Sequence, residues 1–110
     1  MSKKDLNEFV ALVNTHFQLI HNALRQLMQT VHLNDDPCQK LYWRAEKLWE
    51  MTEFEPFYCG GATAKPAPGD VETIISALSM YAVMHDDERA NCVAIIRALI
   101  EPMIDNHVDG

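Results

Sequence analysis

A chain of 110 residues, 48% hydrophobic and 23% charged, fits one globular domain spanning 1–110 and leaves no room for a second core. Nine basic against sixteen acidic residues give a net charge of −7, which disfavours direct binding to nucleic acid and suits a protein partner with a basic surface. No window supplies the roughly 18 uninterrupted apolar residues of a membrane span, and the N-terminus lacks a signal-peptide core. Cys38, Cys59 and Cys92 form no CxxC pair, so the expectation is a cytoplasmic protein with reduced thiols and no membrane contact.

The first predicted element is one long helix from about residue 3 to 33, because no proline precedes position 37 and no glycine precedes position 60. Leu6, Val10, Val13, Phe17, Ile20, Leu24, Leu27 and Val31 alternate spacings of four and three, the seam pattern of bundle helices. Such a helix would be about 45 Å long at 1.5 Å per residue, against roughly 25 Å for each of the next two. Part of it should therefore lack cover from its own chain. Between Glu8 and Arg25 sixteen consecutive residues carry no charge, which suits an interface better than a solvated face. Val13, Phe17, Ile20 and Leu24, with His16 beside them, are accordingly candidate interface residues for a homodimer or for another partner.

Asn34-Asp35-Asp36-Pro37 predicts a turn and a second helix, with Asp36 as cap and Pro37 at the first helical position, running to about Thr52. Its buried side should be Leu41, Ala45, Leu48 and Thr52, flanked by Trp49. Trp43 falls off that face and joins the interface candidates. The stretch from Glu53 to Gly69 contains three prolines and three glycines and is a long loop, of a length often tied to function. Phe57 and Tyr58 within it belong to an aromatic concentration that also includes Trp43, Trp49 and Phe54, and both are interface candidates. Asp70 should cap a third helix ending near His85, with Val71, Ile74, Ile75, Leu78, Tyr81 and Ala82 apolar. Asp86 or Asp87 should cap a fourth, with Val93, Ile96, Leu99, Ile100, Met103 and Ile104 inward and Pro102 kinking or ending it. The expected fold is all-α: a four-helix arrangement of one long N-terminal helix and three shorter ones.

Several residue sets invite chemistry. Cys59 stands before Gly60-Gly61, whose N–H groups would suit an oxyanion, but no local signature supplies a base. His85-Asp86 is the dipeptide at the centre of HD-type metal phosphohydrolases, yet the further ligands of that pattern are missing, and Asp86, Asp87 and Glu88 are accounted for by a helix N-terminus. Glu46, Glu50 and Glu53 share a helical face, as a magnesium-dependent nucleotide pyrophosphohydrolase requires. The matching pair, Glu101 and Asp105, is four apart and straddles Pro102. His16 and His21, five apart, point in different directions and make a poor metal pair. No catalytic, cofactor or metal residue is assigned.

Phe57-Tyr58 shortly before a glycine, an Asp70-started helix with Ala77-Leu78, and Asp87-Glu88-Arg89 opening a final helix rich in Ala, Leu and Ile are similar to features of small helical pseudomonad proteins that include a quorum-sensing anti-activator. The resemblance spans about Phe57 to Ile104. It implies a dimeric helical protein that binds a LuxR-type transcription factor and blocks its dimerisation or DNA binding, and it carries no individual binding residue across. The functional expectation is a non-catalytic regulator or inhibitor of anti-activator, immunity, antitoxin or phage-inhibitor type, binding a transcription factor or toxin as a homodimer. The competing expectation is the small metal-dependent nucleotide pyrophosphohydrolase built on Glu46, Glu50 and Glu53.

Overall fold

A computed structural model describes residues 3–31, 36–52, 57–58, 66–67 and 69–109. All its regular structure is helical, with no strand among the described residues. The order is α1 (Lys3–Thr15), α2 (Phe17–Thr30), α3 (Asp36–Met51), α4 (Asp70–Met84), a 3-10 turn (Asp86–Glu88) and α5 (Arg89–Asp109).

The expected long first helix is two helices. His16, at φ −113° and ψ 26°, leaves helical geometry and separates α1 from α2. Neither glycine nor proline is involved; Asn14, Thr15 and His16 are all weak helix formers. The Thr15 hydroxyl also donates to Ala11 O at 2.9 Å, a back-bond of the kind that bends helices. Main-chain bonds from His16 N to Leu12 O and from Ile20 N to His16 O bridge the interruption at 3.3 and 3.1 Å. Two segments of 13 and 14 residues fit a molecule 38 Å across its longest dimension, as a rod of about 45 Å would not.

α4 lies at the centre, packed against α2, α5 and α3, while α1 packs on α5. One core cluster joins Phe9 and Val13 of α1, Ile20, Ala23, Leu24 and Leu27 of α2, Ala45 and Leu48 of α3, and Phe57. Ile74, Ala77, Leu78 and Ala82 of α4, with Cys92, Ile95 and Leu99 of α5, complete it. Each large side chain buried there stabilises the fold by about 1.5–3 kcal/mol. α2 and α3 are further fixed through Thr52. Its hydroxyl donates toward Leu48 O and Trp49 O at 3.3 and 3.2 Å, which leaves the oxygen to accept from His21 Nδ1–H at 2.8 Å, and the His21 ring stacks on Trp49.

Three further expectations need correction. Asp70 begins α4 but does not cap it. The cap is Gly69 at φ +93°, and the Asp70 carboxylate turns back to accept from Ala67 N–H at 2.8 Å and from the Tyr58 hydroxyl at 3.0 Å. On α5 the buried residues are Cys92, Ile95 and Leu99; Leu99 was expected inward, but Cys92 and Ile95 were not, while the expected Val93 is exposed and Ile96 and Ile100 are half-buried. A 3-10 turn precedes α5, and the helix continues through Pro102 to Asp109. Asn34, Asp35, Glu53, Phe54, Cys59, Gly60 and Gly61 lie outside the described residues, as do most other positions of the long loop.

Candidate functional site

The interruption at His16 has a spatial consequence. Where α1 gives way to α2, Leu12, Thr15 and His16–Leu19 face the start of α5 across a concavity of about 690 Å³, closed on the far side by Glu88, Asn91, Ala94 and Ile95. Leu12, Phe17, Leu19, Ala94 and Ile95 are its apolar members, and Glu88 is its one acidic side chain. Asn91 Nδ2 donates to Glu88 Oε2 at 3.2 Å, so the rim carboxylate is held in place from the first turn of α5. Asn14 Oδ1, two residues before the break, is buried with no hydrogen-bond partner, a state that costs about 1–3 kcal/mol.

Electrostatics around the α4–α5 turn are negative. Burial pushes the Cys92 thiol above its ordinary range, with Glu88 adding to the rise. The Tyr81 phenol is raised by burial and then by Glu88 and Asp87. Asp86 is paired with Arg89 at 2.6 Å, and the same guanidinium donates through Nε to Ala82 O at 3.3 Å, closing the C-terminal end of α4. The His85 ring stacks on Tyr81 with centroids 4.2 Å apart.

Of the eight residues expected at an interface, Val13, Ile20, Leu24 and Phe57 are 0% exposed inside the chain's own core. This corrects the reading of the α1–α2 stripe as a surface awaiting a second chain: α3, α4 and α5 cover it once the helix divides at His16. His16 and Phe17 line the concavity. Tyr58 is half-buried against Phe9 and Phe57 and holds Asp70, while Trp43 stands 59% exposed on α3. The structure therefore joins two of the eight in one site and scatters the rest.

Among the described residues, no three His, Cys, Asp or Glu side chains are grouped so as to hold a metal ion. Glu46 and Glu50 lie on α3. None of the described helices is long and apolar enough to cross a membrane. Glu88, Asn91, Ala94 and Ile95 went unremarked as site residues because their role depends on how α5 packs against the break. The sequence signal that bears on them is the absence of charge opposite, from Phe9 to Leu24. No family model, curated protein or solved structure matches this chain.

Proposed function

We propose that this chain is a non-catalytic cytoplasmic regulator or inhibitor that binds another protein, of anti-activator, immunity, antitoxin or phage-inhibitor type, and that it acts as a homodimer. The observation that carries the reading is the concavity at the α1–α2 break, whose apolar and neutral polar lining under a single carboxylate has the make-up of a protein-docking site. Hydrophobic side chains from a partner would fill the space beside Phe17 and Ile95, and a lysine or arginine flanking them would meet Glu88. A net charge of −7 steers the same kind of basic partner toward the molecule, a transcription factor or toxin surface among them. The resemblance to helical anti-activators supports the transcription-factor version of this reading.

The test is affinity capture from the native host, repeated with Ala94→Arg. Ala94 lines the concavity and is exposed, so an arginine there obstructs the site and opposes a basic partner without disturbing the core. The expected result is a stoichiometric partner captured by the parent chain and lost with the variant. Capture that is unchanged by Ala94→Arg would remove the concavity from the function.

A further inference from the structure

Among the described residues the most exposed large apolar side chains lie on α3 and at the end of α4: Trp43 is 59% exposed, Val83 75% and Met84 50%, with Val93 of α5 following at 37%. Lys40, Trp43, Arg44 and Lys47 are all exposed and, at spacings of three, one and three, share one face of α3. None of those three cations makes an ion pair among the described residues. The stripe is one of the few cationic surfaces on an acidic protein.

Val83 and Met84 sit at the opposite kind of surface. Only His85 separates them from Asp86, Asp87 and Glu88, with Asp86 85% exposed, and the C-terminal carbonyls of α4 add partial negative charge. A tryptophan among cations on one element and two apolar residues beside carboxylates on another are complementary in both hydrophobic and electrostatic terms.

The two surfaces meet along α4. A Cβ placed on Gly69 would lie 3.0 Å from Arg44 Nη1, so the α3 stripe abuts the N-terminal end of α4. Gly69 falls on the same side of that helix as Glu72, Ser76, Ser79 and Val83, all four exposed and only one of them charged. For a 15-residue helix this outward face is sparsely charged, and its serines permit close approach by another helix.

We propose that the outward face of α4, together with the Lys40-to-Lys47 stripe of α3, joins two copies of this chain in antiparallel fashion. A two-fold axis between Ser76 and Ser79 sets each of these serines against the other in the second copy. Glu72 then stands opposite Val83, and Gly69 opposite Asp86, which brings Arg44 to the acidic α4–α5 turn. By symmetry the contact occurs twice. Pairing α3 with itself about an axis between Trp43 and Arg44 is disfavoured by the same charges, since Lys40 would face Lys47 at both ends of the contact. The inference rests on the homodimer of the reading above and supplies its surface.

Light scattering over a wide concentration range tests it, with far-UV circular dichroism to verify that each variant is folded. The parent chain is expected at twice its 12.5 kDa mass. Val83→Glu and Arg44→Glu should each weaken association at least tenfold, while Arg44→Glu combined with Asp87→Lys restores it. All three positions are exposed in the single chain, so the helical content should persist. A parent dimer unaffected by both single variants would overturn this surface and leave the homodimer standing. A parent chain at 12.5 kDa throughout would overturn both.

Discussion

Tyr58 holds an unusual position whose worth can be measured by removing one atom. Its backbone is left-handed at φ +58°, a conformation that costs a non-glycine residue about 1–2 kcal/mol. The side chain offsets this cost by packing its ring against Phe9 and Phe57, each at a centroid distance of 5.8 Å, and by donating to Asp70 Oδ2 at 3.0 Å. Asp70 is 4% exposed, and its other hydrogen bond on the same oxygen comes from Ala67 N–H. Tyr58→Phe keeps the ring and deletes the donor. A hydrogen bond to a charged group contributes about 1.5–3 kcal/mol, so urea denaturation at pH 7 should show a loss of about 2 kcal/mol. The alkaline limb gives a second readout. Burial first, and the neighbouring Asp70 carboxylate second, raise the phenol's pKa above its ordinary value of 10.0. Above pH 10 the unfolded chain therefore releases this proton while the folded chain retains it, and stability falls with rising pH by as much as about 1.4 kcal/mol per unit for one proton. That contribution is fully present below pH 10 and disappears in the phenylalanine variant, whose alkaline slope should be shallower by up to one proton. A Tyr58→Phe protein within 0.5 kcal/mol of the parent and with the same alkaline slope would refute the clamp.

Two further substitutions separate the core from the surface and test the α4 cap. Leu24→Ala, at a fully buried position, should cost about 2–5 kcal/mol by thermal or chemical denaturation, whereas Trp43→Ala on exposed α3 should change the stability of the single chain by no more than about 0.5 kcal/mol. Gly69→Ala combines a φ of +93° with a Cβ 3.0 Å from Arg44 Nη1, so a loss of about 1 kcal/mol or more is expected in urea denaturation, with Arg44→Ala recovering only the steric part.

The sequence conveyed the helical class because its signals act locally. Pro37 marks the start of α3, and the apolar spacing of α4 predicts the burial of Ile74, Leu78 and Ala82. Where two solutions were locally equivalent, the prediction failed. On α5 the expected inward set joined Leu99 to Val93, Ile96 and Ile100, and the packing on α4 and α1 keeps Leu99 but buries Cys92 and Ile95 with it and leaves Val93 exposed. Asp70 has the chemistry of an N-cap, but a better-buried pair of donors on Tyr58 and Ala67 turns its carboxylate away from the helix.

The break at His16 explains both the part of the site that was legible and the part that was not. A seam of eight apolar residues with no glycine or proline reads as one rod, and a rod of that length requires a second chain to cover it. A modest loss of helix propensity at Asn14, Thr15 and His16 is enough to divide it, because the divided form buries Val13, Ile20 and Leu24 within the same chain. Hydrophobic burial at about 0.8 kcal/mol per methylene readily exceeds the few tenths gained by keeping each of three residues helical. The same division that satisfies the seam opens the concavity beside His16 and Phe17, so the long uncharged stretch from Phe9 to Leu24 serves the core on one side and the proposed docking site on the other. Self-association, no longer needed to cover that stretch, shifts in this reading to the outward face of α4, where Glu72 is the one charge beside Ser76, Ser79 and Val83.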